Sequence, residues 1–143
     1  MLPFLENYDR PLFFAHRGLS ARAPENTLAA FKLAWDSGVP GVELDIRLCA
    51  TEDIVVFHDN DLERITGKQG TIEQSDLDEL KSYDAGEGEK IPLLSEVFEA
   101  APPDVYFDIE MKLAVRLCSD KLTQKNLKPG AGRIILKAPY TET

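Results

Sequence analysis

At two places in this sequence a histidine and a charged residue stand side by side directly after an apolar run. His16 and Arg17 follow the first run, and His58 and Asp59 follow the second. The chain has only these two histidines. Imidazole accepts and donates protons near neutral pH, and an arginine beside it binds anionic groups. Together the two sites indicate proton transfer next to a bound anion.

A second group of candidate residues is charged and lies on two predicted strands, residues 41–48 and 105–112. Successive side chains point to opposite faces of a strand, so every second residue shares a face. One face of these strands carries Glu43, Asp45, Glu110 and Lys112. Carboxylates gathered in a low dielectric repel one another, and a divalent cation removes that repulsion. Oxygen ligands alone favour Mg²⁺ or Ca²⁺ over zinc.

The basic residues indicate what else binds beside such a cation. Arg17 and Lys112 would add positive charge next to the metal, which favours an anionic ligand. Phosphate fits this combination of a metal, a guanidinium and an ammonium.

These residues need a scaffold that brings distant segments together. Residues 11–15 are uniformly apolar and predict a strand buried on both faces. A helix is expected from Thr27 to about Asp36 with Asn26 as its N-cap, and residues 54–57 predict a further strand. Alternating strands and helices favour an α/β fold with a parallel sheet. The carboxyl ends of such strands meet at one rim, where active sites of α/β proteins lie.

The stretch 60–92 is polar and contains several glycines. Ser75 resembles the start of a capping box and predicts a short helix there. Ser95 is the expected N-cap of another short helix, which should end before Pro102.

Composition limits the kind of protein. The chain has 143 residues and a net charge of −9, which disfavours nucleic acid as a partner. Cys49 and Cys118 are the only cysteines, in no metal-binding spacing, so they are expected to be reduced thiols. The first ten residues do not resemble a signal peptide, and no apolar run reaches the roughly 20 residues that span a bilayer. We therefore predict a cytoplasmic protein without a transmembrane segment.

Each candidate alone has an ordinary interpretation. A histidine after a strand is often a turn residue, and Glu43 with Asp45 could form the wet face of a strand. Glu110 and Lys112 could form a surface ion pair worth well under ~1 kcal/mol. These interpretations do not explain why all of the residues are expected at one rim.

Six short motifs follow one another along the chain: His16-Arg17-Gly18, Pro24-Glu25-Asn26-Thr27, Glu43-Leu44-Asp45, His58-Asp59, Ile91-Pro92-Leu93 and Asp108-Ile109-Glu110-Met111-Lys112. Their succession closely resembles that of the glycerophosphodiester phosphodiesterase family. The resemblance covers about residues 11–112.

The resemblance implies a TIM (βα)₈ barrel that uses Mg²⁺ or Ca²⁺ to hydrolyse glycerophosphodiesters to glycerol 3-phosphate and an alcohol. A glycerol hydroxyl would attack phosphorus, and water would open the resulting cyclic phosphate. The stretch 60–92 resembles the family's small helical insertion. By the same resemblance the metal ligands are Glu43, Asp45 and Glu110, the general acid/base pair is His16 and His58, the phosphate-binding residues are Arg17 and Lys112, and Glu25 orients the groups around them.

The matched motifs end before a barrel of roughly 250 residues would be complete. We expect residues 1–112 to be the N-terminal part of the catalytic domain and 113–143 to be a divergent basic tail. An incomplete barrel of this kind could be inactive and self-associate. The alternatives to an active enzyme are a non-catalytic half-barrel that binds metal or a partner, and a related phospholipase-type phosphodiesterase. The sequence does not indicate which alcohol is released.

Overall fold

A computed structural model describes residues 11–112 and 133–137 as one five-stranded sheet with two helices packed on one face and a helical insertion beside it. The elements in chain order are β1 (Phe14–His16), α1 (Leu28–Asp36), β2 (Gly41–Leu48), β3 (Ile54–Val56), α2 (Glu63–Thr66), α3 (Leu77–Ser82), α4 (Leu94–Ala100), β4 (Tyr106–Met111) and β5 (Arg133–Lys137).

Strand β2 is central to the sheet. It pairs in parallel with β1 on one side and with β4 on the other, and β5 continues the parallel order beyond β4. The exception is β3, which is antiparallel to β2. The predicted parallel sheet is thus found in β1, β2, β4 and β5, and β3 departs from it. The physical reason is the short turn after β2, because so few residues can reverse the chain but cannot form a parallel crossover.

The antiparallel strand changes how the two histidine segments meet. Ile46 of β2 pairs with β3 on one side and with β4 on the other. Since β1 lies on the side of β2 opposite β4, β3 and β1 share one side of β2. Strand β1 ends at His16, opposite Glu43. Strand β3 runs back towards that point, and the Phe57 amide donates a 3.0 Å hydrogen bond to the Asp45 carbonyl. The carboxyl ends of β1 and β3 therefore approach each other beside the middle of β2.

The main core lies between the sheet and helices α1 and α4. Phe31 and Trp35 of α1 and Val97 of α4 pack against the apolar face of the sheet. The Trp35 and Phe107 rings meet edge to face, with centroids 6.4 Å apart. The fully buried side chains that β2 and β4 contribute are Val42, Leu44, Ile46, Phe107 and Ile109. Each large apolar side chain in such a core contributes about 1.5–3 kcal/mol by burial.

Helix α1 lies where the sequence predicts it, but its N-cap is Thr27 rather than Asn26. The Thr27 hydroxyl accepts a 3.3 Å hydrogen bond from the Ala30 amide, a contact worth about 1 kcal/mol. Asn26 has a left-handed backbone, with φ of 56°. Its side chain therefore leaves the helix end and bonds to Asp45 instead.

Strand β1 is shorter and less buried than the sequence predicts. It begins at Phe14, and the Phe13 side chain is 69% exposed. Within the described residues β1 pairs only with β2, so it lies at an edge of the sheet, where a uniformly apolar run is not covered on both faces.

The insertion has a core of its own. Alternate residues of β3 divide between the two cores, since Ile54 and Val56 face the main one and Val55 faces the second. The second core consists of Cys49, Val55, Phe57, Leu62, Ile72, Leu80, Ala85 and Ile91.

The short helices begin close to their predicted positions. Helix α3 is capped by Asp76 rather than Ser75. Helix α4 follows Leu93 rather than Ser95, and the Glu96 carboxylate accepts a 3.0 Å hydrogen bond from the Leu93 amide. It ends at Ala100, before Pro102 as predicted. Helix α2 has no counterpart in the sequence prediction.

Strand β5 lies within the predicted tail and pairs with β4. The rest of that tail, including Cys118, lies outside the described residues. In the described ranges no helix has the length and apolar character needed to cross a membrane.

Candidate functional site

Three carboxylates that are separate in sequence meet on the polar face of the sheet. Glu43 and Asp45 are neighbours on that face of β2, and Glu110 on the adjacent strand β4 lies opposite Asp45. One carboxylate oxygen from each lies within 4.8 Å of the others. We call Glu43, Asp45 and Glu110 the carboxylate triad. The structure thus brings together all three residues expected to bind a metal.

The triad carries more negative charge than its surroundings neutralise. The Asp45 side chain is 1% exposed, and its Oδ1 has no hydrogen-bond partner among the described residues. Burial, together with the charges of Asp45 and Glu110, raises the pKa of Glu43 to about 7. Crowded carboxylate oxygens, one of them buried without a hydrogen bond, are the kind of donor set that binds a hard divalent cation. The residues present therefore fit a divalent metal ion.

The two predicted phosphate-binding cations lie beside the triad. The Lys112 Nζ is 2.6 Å from Glu110 Oε1 and 3.4 Å from Asp45 Oδ1. Its hydrogen bond lowers the pKa of Glu110. The Arg17 Nε is 3.5 Å from Asp45 Oδ2. A ligand that reached the triad would therefore meet an ammonium and a guanidinium at the same place.

The turn after β1 fixes Arg17 in an uncommon backbone conformation. Arg17 has a φ of 57° and Gly18 a φ of 78°. The Arg17 amide donates to the Glu43 carbonyl at 2.9 Å and to the Glu43 carboxylate at 3.2 Å. A Cβ on Gly18 would lie 2.7 Å from the Ala30 carbonyl carbon, so only glycine allows this close approach to α1. A left-handed arginine costs about 1–2 kcal/mol, and strain of this kind is concentrated at functional sites.

The two histidines have different surroundings. The His16 side chain is 68% exposed, and its Nε2 lies 3.6 Å from Glu43 Oε2. His58 is less exposed, and its Nδ1 lies 2.7 Å from Asp59 Oδ1. The Arg47 Nε donates a 2.8 Å hydrogen bond to the His58 carbonyl. Because a carboxylate accepts the hydrogen of Nδ1, the neutral His58 ring has its lone pair on Nε2.

Beside the triad lies a second group of charges, Glu25, Asp59 and Arg64, which we call the loop clamp. The Arg64 guanidinium is 2.6 Å from Glu25 and 2.8 Å from Asp59 at its closest atoms. The hydrogen bonds of Arg64 and His58 hold the pKa of Asp59 well below its usual value. Burial would raise the pKa of Glu25, but the bonds and charges of Arg64 and Arg17 outweigh it and lower that pKa.

Several residues of the site have roles that the sequence did not indicate. The Asn26 side-chain amide donates a 3.1 Å hydrogen bond to Asp45 Oδ2, although its sequence context suggested a helix cap. Arg64 stands in a polar stretch without periodicity. Lys137 of β5 pairs with Asp108, a contact that the sequence could indicate only if the register of β5 were known. Asp45 and Asp108 are both buried on the polar face, and buried carboxylates require hydrogen-bonding partners such as Asn26 and Lys137.

Comparisons with known proteins agree with this geometry. Residues 16–131 match the sequence profile of the glycerophosphoryl diester phosphodiesterase family. The match extends beyond Lys112, where the motifs quoted from the sequence end. A glycerophosphodiester phosphodiesterase of Caldanaerobacter subterraneus is 41% identical over 116 residues, which cover 76% of this chain and 48% of that protein. A lysophospholipase D of Homo sapiens is 33% identical, and the match covers 77% of this chain and 39% of that protein. The chain thus spans about half the length, or less, of these curated relatives.

Solved structures show the same likeness. The crystal structure of a glycerophosphodiester phosphodiesterase from Thermotoga maritima matches with a TM-score of 0.75 and 36% identity, covering 92% of this chain and 55% of that one. An Oleispira antarctica phosphodiesterase in complex with sn-glycerol-3-phosphate matches with a TM-score of 0.79 and 33% identity, covering 91% and 58%. These likenesses confirm the predicted family and the predicted fold class, an α/β segment of a TIM barrel.

Proposed function

The chain belongs to the glycerophosphoryl diester phosphodiesterase family, and on that premise we propose that its site serves the hydrolysis of glycerophosphodiesters to glycerol 3-phosphate and an alcohol. The observation that carries the proposal is the carboxylate triad with Arg17 and Lys112 beside it. An acidic cluster alone would bind a cation. The two adjacent basic side chains make the same place suitable for a phosphodiester.

In this proposal Glu43, Asp45 and Glu110 bind one Mg²⁺ or Ca²⁺ ion. The bound ion would supply charge stabilisation on the phosphoryl oxygens. Lys112 and Arg17 would bind the phosphate, and Asn26 would keep Asp45 in place through its 3.1 Å hydrogen bond. No ligand-binding residue has to come from the insertion.

The proton transfers are assigned to the two histidines. One imidazole takes the proton of the attacking hydroxyl or water, and the other gives a proton to the leaving oxygen. His58 presents Nε2 for this purpose because Asp59 occupies its Nδ1. His16 ends strand β1, and its Nε2 lies 3.6 Å from Glu43 Oε2. Glu25 holds the guanidinium of Arg17 at 3.2 Å.

A phospholipase D-type substrate is the second candidate, because one relative has the name lysophospholipase D. Both candidates use the same site and differ in the group attached to the glycerol. Glycerophosphocholine and lysophosphatidylcholine separate them as substrates, since choline release from the second requires that an acyl chain be accommodated.

The test measures turnover by the purified chain. Release of glycerol 3-phosphate from glycerophosphocholine should require Mg²⁺ or Ca²⁺, stop on addition of a chelator, and be absent in His16→Ala. Metal binding by calorimetry is measured on the same samples. Metal binding without turnover would instead support the non-catalytic alternative, and absence of both would refute the proposal.

We also propose that the chain self-associates and that it is cytoplasmic. Self-association through the open sheet is supported by β1 and β5, each of which pairs with only one neighbouring strand in the described ranges, and size-exclusion chromatography tests it. A cytoplasmic location is supported by Cys49, a buried free thiol, because cysteines stay reduced in the cytosol. Localisation of a tagged chain tests the second point.

A further inference from the structure

Arg64 contacts two loops that carry candidate catalytic residues, although it belongs to the insertion. Its Nη1 and Nη2 donate to the two Glu25 oxygens at 3.2 and 2.6 Å. Its Nε and Nη2 donate to the two Asp59 oxygens at 2.8 and 3.1 Å. One guanidinium thus forms two bidentate contacts, one with the loop after β1 and one with the loop after β3.

Each of these carboxylates continues to a residue of the proposed reaction. Glu25 accepts hydrogen bonds from Arg17 at 3.2 and 3.3 Å. Asp59 lies 2.7 Å from the Nδ1 of His58. The order of contacts is Arg17, Glu25, Arg64, Asp59 and His58, so a single side chain connects the phosphate-binding arginine to a proton-transfer residue.

We propose that Arg64 is a positioning residue that sets the ring tautomer of His58 and the direction of the Arg17 guanidinium. The inference rests on the proposed function, since it assigns a role in that same reaction. Held at both oxygens by Arg64, Asp59 cannot turn away from His58, and the ring keeps its hydrogen on Nδ1. The same guanidinium holds both oxygens of Glu25 and so fixes the side chain on which Arg17 rests.

Packing explains how an insertion residue can hold this position. Helix α2 has only four residues, but Leu62 directly before it is fully buried in the second core. The Thr66 hydroxyl at its end donates a 2.7 Å hydrogen bond to the Leu62 carbonyl. The position of Arg64 therefore depends on the core of the insertion. The insertion thus contributes to the site through Arg64 although it supplies no ligand-binding residue.

A purely stabilising role does not account for this arrangement. The Arg64 side chain is 49% exposed, and ion pairs at exposed positions contribute about 0–1 kcal/mol. The bidentate fork offers fixed direction instead. A lysine at this position would keep the charge but would replace the planar fork by a point donor.

The test uses the two histidines of the complete chain as spectroscopic probes. Long-range ¹H–¹⁵N spectra report the tautomer of each ring when it is neutral, at about two pH units above the ordinary imidazole value. The wild-type His58 should have its hydrogen mainly on Nδ1. In Arg64→Gln that fraction should fall by half or more, while the His16 signals stay the same. Glu25→Gln should leave the His58 tautomer unchanged, because Arg64 still holds Asp59.

Arg22→Gln is the matched control, since Arg22 is an exposed arginine in the loop that carries Glu25. Where wild type turns over, Arg64→Gln should lower kcat at least tenfold and raise KM, and Arg64→Lys should recover part of kcat. Unchanged His58 signals in folded Arg64→Gln, or in Arg64→Met if the first variant does not fold, would overturn the inference. The spectra decide this even if the wild-type chain proves inactive, so failure of the proposed function is distinguished from failure of this inference.

Discussion

The carboxylate triad and the loop clamp lie next to each other but balance their charges in opposite ways. In the triad, burial and neighbouring acids raise the pKa of Glu43 to about 7. In the loop clamp, Arg64 stands between two carboxylates and lowers the pKa of both. Each carboxylate of the clamp bonds to a guanidinium, and Glu25 bonds to two, whereas Asp45 Oδ1 in the triad has no hydrogen-bond partner among the described residues. The comparison indicates that the triad binds a ligand and that the clamp determines where residues around it lie.

Each histidine belongs to one side of this comparison, and their removal should have the largest effect. His16 lies beside the triad and His58 beside the clamp. In any preparation that turns over, His16→Ala and His58→Ala should each lower kcat by roughly 10²–10⁴, the usual contribution of a general acid or base. The measurement is steady-state release of glycerol 3-phosphate at saturating metal. Near-normal turnover in either variant would remove that residue from the assignment.

Metal affinity separates the two regions directly. Glu43→Gln or Glu110→Gln should weaken Mg²⁺ or Ca²⁺ binding tenfold or more, about 1.4 kcal/mol, because each removes a charged ligand from the triad. Asp104→Asn changes the charge equally at an exposed position near the start of β4 and serves as the matched control.

Calorimetric titration of all three variants checks this prediction. If both triad variants bound metal as tightly as Asp104→Asn, the triad would not be the metal site.

The sequence predicted the triad better than the clamp, for a physical reason. Glu43, Asp45 and Glu110 lie on regular strands, where the alternation of side chains fixes the face of each residue. Arg64 lies on a four-residue helix whose position depends on the second core. Packing between distant segments of this kind leaves no periodic signal in the sequence.

The antiparallel course of β3 shows the same limit. The sequence identified the strand and the histidine that follows it, yet not its direction. The direction of β3 depends on the short turn after β2. Because β3 runs antiparallel to β2, its end and the following His58 return to the level of Asp45. Strands β1 and β3 bring the two histidine segments to the middle of β2, whereas the sequence predicted a common rim of parallel strands.

The raised pKa of Glu43 predicts how pH acts on the metal-free chain. Its folded value of about 7 lies above the ordinary 4.5, so between these values the folded state binds more protons than the unfolded state. The free energy of unfolding should therefore fall as pH rises from about 4.5 to about 7. A shift of this size corresponds to at most about 3 kcal/mol.

Denaturant unfolding in the presence of a chelator measures this dependence, and Glu43→Gln isolates it from other titrating groups. Wild type should lose stability relative to Glu43→Gln over this pH range, and added metal should restore it. Parallel pH profiles for the two proteins would show that burial and the neighbouring acids do not raise the pKa of Glu43.

The smallest expected effect concerns the stability of the loop clamp. Arg64→Gln should lower the free energy of unfolding by less than ~1 kcal/mol, because the Arg64 side chain is 49% exposed and water replaces much of what its ion pairs provide. Screening by salt should make the difference smaller still. Denaturant unfolding of Arg64→Gln and Arg22→Gln at low and high ionic strength checks it. A loss of several kcal/mol specific to Arg64→Gln would mean that the clamp holds the fold together. A negligible loss together with a changed His58 tautomer would mean that the bonds of the clamp direct side chains and add little to stability. In the triad, by contrast, the carboxylates repel one another until a metal ion binds.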